Sequence, residues 1–204
     1  MDDDFIKEYY CEWTEETCTS HVHKITEVMA KYNSDLLIPK SNSNQYKTFT
    51  RDDSQLCLPF FFELNEINTQ ALNISNHALK AYVQDYPSLI KCYDQLSNSV
   101  IKYQKTLKNG GYHAFHVEHS GNNINKKRVL SWILYLNTLN SEGGETEFLH
   151  FNRRIKPISG KLIIFPATWP WVHRGNPPRE TKHILTGWFY HDILSDPIQL
   201  SELI

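Results

Sequence analysis

Apolar residues recur at helical spacing in two stretches of the first half of the chain. In residues 15–32, Val22, Ile25, Val28 and Met29 fall on one face, which predicts an amphipathic helix stopped by Asn33-Ser34-Asp35. Leu64, Ile67, Leu72, Ile74, Leu79 and Tyr82 predict a second helix over 63–84, closed by Pro87, with a short helix near Leu89–Leu96 after it. Between the two long helices, residues 36–60 read as irregular, with a polar Ser-Asn-Ser-Asn run at 41–44 and Pro39 and Pro59 as breakers. From Val100 onward the pattern changes to short β-type runs: Val100–Leu107, Tyr112–Glu118, Val129–Asn137, Glu145–Leu149, Lys161–Phe165 and His183–His191. Turn signals separate them, at Asn109-Gly110-Gly111, Gly143-Gly144, Ser159-Gly160 and Asn176-Pro177-Pro178. Strands of this length and spacing predict an antiparallel double-sheet fold such as a jelly roll. The run from Val129 to Leu136 is apolar at nearly every position and predicts a central strand covered on both faces.

The fold class expected is therefore mainly β with N-terminal helices. Residues 1–97 form a helical preface and lid segment, and residues 98–192 the β core, within one domain spanning 1–204. A chain of 204 residues with 40% apolar and 13% aromatic residues can bury a core without disulfides or structural zinc, and is not disordered in composition. No apolar stretch reaches 18 residues, so no membrane partner is expected. The start, Met1-Asp2-Asp3-Asp4, lacks the apolar run of a secretory signal, and cysteines 11, 18, 57 and 92 form no CxxC, so a cytoplasmic chain with reduced thiols is expected. The net charge of −2 gives no bias toward nucleic acid. Within it, residues 150–183 hold seven Lys/Arg against Glu180, a distribution that suits an anionic ligand.

The candidate chemistry lies in His116-Val117-Glu118. On an extended strand, residues i and i+2 face the same side about 6.6 Å apart, so an imidazole and a carboxylate can converge on one metal ion. A third ligand must come from elsewhere, and His173, 57 residues downstream of His116, is the candidate. Two histidines and one carboxylate make the facial ligand set of non-heme Fe(II), which leaves positions open for a cosubstrate and dioxygen.

In chain order, Tyr112…His116-Val117-Glu118, Arg128–Asn137, Gly143-Gly144-Glu145-Thr146, Gly160–Pro166, His173-Arg174-Gly175 and Lys182–Trp188 resemble the catalytic domain of the prolyl 4-hydroxylase-like branch of the Fe(II)/2-oxoglutarate dioxygenases. The resemblance covers residues 98–192 and implies a double-stranded β-helix core. It implies Fe(II) held by His116, Glu118 and His173, with 2-oxoglutarate and O2 as cosubstrates and ascorbate as reductant. The family's usual carboxylate is Asp, and this chain departs from it with Glu118. The resemblance further implies that Lys182, nine residues after His173, pairs with the distal carboxylate of 2-oxoglutarate, assisted by Thr186, Tyr135 and Tyr103. Arg128 falls near the substrate entrance, and Trp188 near the metal. The implied activity is hydroxylation of an unactivated C–H bond, of a prolyl residue in a peptide or protein, with residues 36–60 as a flap and Phe115, Trp169 and Trp171 lining a groove. Other readings of the same residues are a hydroxylase of a free amino acid or small molecule, a non-catalytic jelly-roll module that has lost its metal, and a zinc hydrolase. The sequence leaves the oligomeric state open.

Overall fold

A computed structural model describes residues 4–32, 51–98, 100–121, 125–191 and 197–199. The first helix, α1 (Glu15–Lys31), follows its predicted bounds. Thr14 caps it by accepting a hydrogen bond from the Thr17 N–H at 3.2 Å, and Glu15 and Glu16 complement the positive end of the helix dipole. The second, α2 (Asn65–Asp85), is entered through a 3-10 turn at Phe62–Leu64 and stops two residues before Pro87. The third, α3 (Ser88–Cys92), is shorter than predicted because Gln95–Asn98 is a strand.

Thirteen strands are present among the described residues, numbered in chain order. These are β1 (Lys7–Tyr10), β2 (Arg51–Asp52), β3 (Ser54–Cys57), β4 (Gln95–Asn98), β5 (Lys102–Thr106), β6 (Gly111–Tyr112), β7 (Arg128–Tyr135), β8 (Thr146–Phe148), β9 (Arg153–Ile155), β10 (Lys161–Pro166), β11 (His173–Gly175), β12 (Lys182–Tyr190) and β13 (Pro197–Gln199). The major sheet runs β1-β10-β7-β12 and is antiparallel throughout. The far side of β12 pairs with β5 over Lys182–Thr186 and with β4 at Phe189 and Tyr190; β3 and β13 extend those two edges. A minor sheet has the order β11-β8-β9, and β2 pairs with β6 in a ribbon. This is a jelly-roll, double-stranded β-helix arrangement.

Alternation along the major sheet sorts side chains into two cores. Leu130, Trp132 and Leu134 of β7, Leu162 and Ile164 of β10, and Leu185 and Phe189 of β12 join Ile25, Val28 and Met29 of α1 and Ile67, Ile74 and Leu79 of α2 in one apolar cluster. Ile133 and Tyr135, Ile163 and Phe165, and Ile184 turn the other way and meet Phe148 and Ile155 of the minor sheet. The helices therefore back the major sheet, and the two sheets face one another. Gly187 of β12 lies opposite Trp132 in this ladder, and a Cβ on it would come within 2.6 Å of the indole ring. The central strand β7 is buried at every position after Arg128, as its composition predicts.

Two expectations need correction. The strand predicted over Tyr112–Glu118 ends at Tyr112; beyond it only an isolated bridge joins His116 to His173. The flap expected over 36–60 lies largely outside the described residues, and the part within them is not free, because Ser54–Cys57 pairs with β5.

Candidate active site

His116 and His173 are fixed to each other before any side chain is considered. The His116 N–H donates to the His173 carbonyl and the His173 N–H to the His116 carbonyl, both at 2.9 Å. Each ring is then oriented by its Nδ1, which lies 3.0 Å from a backbone oxygen, that of Ala114 for His116 and that of Trp171 for His173. A carbonyl only accepts, so Nδ1 carries a proton, which leaves Nε2 as the atom each ring can offer to a metal. Tyr112 stacks on the His116 ring at 3.8 Å, and Phe165 meets the His173 ring edge-on at 4.8 Å.

Glu118 completes the group. Its Oε1 lies 3.4 Å from Nε2 of His116 and 3.6 Å from Nε2 of His173. Its Oε2 accepts from Arg128 Nη1 at 3.0 Å and from Trp188 Nε1 at 2.9 Å. Burial disfavours the charged carboxylate, but hydrogen bonds and charge from His116 and His173 prevail and hold its pKa well below the usual range. Among the described residues this is the one cluster whose imidazole and carboxylate atoms lie within 4.8 Å of one another in a metal-holding arrangement. The three residues converge although the segment carrying His116 and Glu118 is not a regular strand.

They open onto a cavity of about 350 Å³ whose lining includes Lys182, Ile184, Thr186 and Trp188, the face of β12 that alternation predicts. Lys182 is 6% exposed, and its Nζ donates to the Gly144 carbonyl at 2.6 Å, which Gly144 offers from a turn at φ +78°. Burial lowers the Lys182 pKa to about 8, against the opposing charge of Glu145. Its hydrogen-bond acceptor is thus a neutral carbonyl, and Glu145 acts on it through space. A buried cation of this kind suits an anionic ligand. Tyr135 lies beneath it, with Nζ 5.5 Å from the ring centre and its hydroxyl 2.7 Å from that of Thr146, which lines the cavity.

Tyr103 does not belong to this site. Register places it opposite Leu185, so it shares the outward, helix-facing side of the sheet, where its hydroxyl meets His183 Nδ1 at 2.6 Å. Lys102, Gln104 and Thr106, the other face of β5, line the cavity instead. The Thr186 hydroxyl donates to the Trp132 carbonyl at 2.9 Å, so its one hydrogen is committed to the sheet. Arg128 lines the cavity, but it holds Glu118 and does not stand open at an entrance. The aromatic groove does not form as expected. Trp171 donates to the Asp4 carbonyl at 2.7 Å and stacks on Phe151, Trp169 is 73% exposed, and Phe115 lies under Arg174. Asp53 and Arg174 line the cavity as well.

Residues 99–190 match the sequence pattern of the 2OG-Fe(II) oxygenase superfamily. The β core over those residues belongs to that superfamily. No curated protein sequence matches the oxygenase. Among solved structures, it is similar to the viral collagen prolyl hydroxylase of Paramecium Bursaria Chlorella virus-1, at 16% identity and a TM-score of 0.63, covering 93% of this chain and 98% of that one. It is similar to a Pseudomonas putida prolyl-4-hydroxylase at 17% identity and a TM-score of 0.64, covering 91% and 92%. The Trichoplax adhaerens prolyl hydroxylase, in complex with a hypoxia inducible factor oxygen degradation domain peptide fragment, gives 15% identity and a TM-score of 0.67, covering 94% and 86%. At these identities the likeness establishes the fold. The oxygenase is a 2-oxoglutarate-dependent dioxygenase that uses Fe(II), 2-oxoglutarate and O2, and the donor set and the buried lysine fit a divalent metal and a dianion.

Proposed function

We propose that this oxygenase hydroxylates a prolyl residue in a peptide or protein segment. In this reading His116, Glu118 and His173 hold the iron, and Lys182 receives the distal carboxylate of 2-oxoglutarate. The observation that carries it is the convergence of the three ligand atoms on a cavity that also contains the buried cation Lys182, whose Nζ donates to a backbone carbonyl. Three similar folds that are prolyl hydroxylases, one holding a peptide, support the choice of substrate.

Iron and 2-oxoglutarate, once bound, supply with O2 the oxidising chemistry that hydroxylates an unactivated C–H bond and releases succinate and CO2. The protein's own groups position and shield. The Nδ1–H groups of His116 and His173 donate to the backbone carbonyls of Ala114 and Trp171, which keeps both Nε2 atoms aimed at one point. Lys182 is charged at neutral pH and orients the cosubstrate through a charge-assisted hydrogen bond. The Tyr135 and Thr146 hydroxyls share a hydrogen bond in which either can donate; with Tyr135 as the donor, the Thr146 hydroxyl hydrogen is left for the same carboxylate. Ile133 and Ile184 present hydrocarbon beside that anion and limit water around it.

The test is conversion of 2-oxoglutarate to succinate by iron-loaded protein with a panel of proline-containing peptides, each product being analysed by mass spectrometry. The expected result is the gain of one oxygen atom on proline, dependent on 2-oxoglutarate. Succinate formed only with free amino acids or other small metabolites would overturn the substrate reading and leave the oxygenase assignment standing.

A further inference from the structure

A glutamate carboxylate can bind a metal through one oxygen or through both. The choice matters here, because an octahedral metal held by two imidazoles and one oxygen keeps three positions open, whereas a chelating carboxylate leaves two. The surroundings of Glu118 are unequal at its two oxygens. Oε1 faces His116 and His173, and receives no donor from Arg128 or Trp188. Oε2 receives two: Arg128 Nη1 at 3.0 Å and Trp188 Nε1 at 2.9 Å.

The donors are themselves held. Arg128 Nη1 also donates to the Glu118 backbone carbonyl at 3.1 Å, so one nitrogen ties both the side chain and the main chain of the same residue. Its guanidinium lies 3.8 Å from the centre of the Trp188 ring, and its Nε donates to the Tyr190 hydroxyl at 3.3 Å. Arg128 begins β7, and Trp188 and Tyr190 close the paired strand β12, where Tyr190 is the register partner of Arg128. Glu118, by contrast, sits on the irregular segment between β6 and β7. A rigid sheet edge thus grips one oxygen of a side chain carried by an irregular segment.

We infer that Arg128 and Trp188 are positioning residues that withhold Oε2 of Glu118 from the metal, so that the carboxylate offers Oε1 alone. This rests on the metal-ligand reading given under Proposed function. It assigns to Arg128 a role toward the ligand set and not toward the substrate.

The experiment uses Mn(II) as the probe and counts exchangeable water molecules on it from line broadening in isotopically labelled water. The intact protein should hold Mn(II) with three such waters, and Arg128→Met/Trp188→Phe with two. With 2-oxoglutarate added, the intact protein should keep one water on Mn(II) and the double variant none, because 2-oxoglutarate takes two positions and a chelating carboxylate takes the third. Arg128→Lys, which keeps a donor, should restore the third water. Trp188→Phe alone keeps the ring under Arg128 and removes one donor, and serves as the reading if the double variant does not fold; it should lower the mean count. A lower melting temperature with three waters on the double variant, one of them kept after 2-oxoglutarate is added, would make the clamp merely structural and overturn the inference alone. Two waters on the intact protein would overturn it as well. Failure of the intact protein to bind Mn(II), or undiminished binding by His173→Ala, would overturn the metal reading and the clamp with it.

Discussion

Lys182 shows most plainly how single residues at this site serve ligand binding at the expense of stability. Its ammonium is buried with a single carbonyl acceptor, and its pKa falls from 10.5 to about 8. Between those two values the unfolded chain binds more protons than the folded one, so the ligand-free protein should gain stability as pH rises through that window, by about 3 kcal/mol in all. Denaturant titrations at a series of pH values would measure it, and Lys182→Met should flatten the slope. The same substitution should raise ligand-free stability at neutral pH by about 1–4 kcal/mol, since it replaces a buried charge by a side chain of similar length. It should also weaken 2-oxoglutarate by two to three orders of magnitude, the equivalent of about 3–5 kcal/mol, with Mn(II) binding nearly unchanged. Binding of the dianion needs the charged amine, so affinity in the intact protein should decline as pH rises above about 8. His116, Glu118 and His173 are candidates in the sequence because few residue types ligate a metal, and it is the ordered resemblance to a known family that singles them out together with Lys182. The contacts of Glu118 with Arg128 and Trp188, and of Tyr135 with Thr146, are not legible in the sequence, because each joins residues on different segments of the chain that only the fold brings together.

At the scale of elements, β12 divides its work by parity. Lys182, Ile184, Thr186 and Trp188 line the cavity, while Leu185 and Phe189 pack toward the helices. Gly187 belongs to the second set and leaves room for the Trp132 ring. Gly187→Ala should therefore cost about 1–3 kcal/mol in chemical denaturation through overpacking. Residual Mn(II) binding by its folded fraction should match the parent. Period-two alternation makes the interior of β12 readable once Lys182 is placed. It does not fix β5, because a strand with Tyr103 and Gln104 side by side can be turned either way, and only pairing with β12 decides which face looks inward. The edge strand β1, Lys-Glu-Tyr-Tyr, escapes the sequence reading altogether; its charged residues suit a sheet edge and hide the strand from a hydrophobic pattern. Helices α1 and α2 are readable nearly to their ends, since a one-sided apolar stripe sustained over four or more turns matches the period of an amphipathic helix and of little else.

For the whole molecule, the two sheets and the helical layer are held by cores that contain no metal ligand other than the packing around His173. Folding is thus separable from metal loading, unlike a small domain whose core forms only around its ion. Ligands that bind only the folded state should still stabilise it. Mn(II) with 2-oxoglutarate at about 100 times their dissociation constants adds about 2.7 kcal/mol each if independent. Each such increment corresponds to roughly 5–10 °C in melting temperature for a chain of this length. Calorimetry with and without each ligand would show this, and His173→Ala should lose the shift caused by Mn(II). The reciprocal pair of backbone hydrogen bonds between His116 and His173 carries a kinetic corollary. Two ligands far apart in the chain are already stitched side by side, so the ion meets a finished receptor and nothing must be gathered around it. Uptake should then be a plain bimolecular encounter: its observed rate should climb in proportion to metal concentration, with no plateau set by a slow rearrangement of the polypeptide.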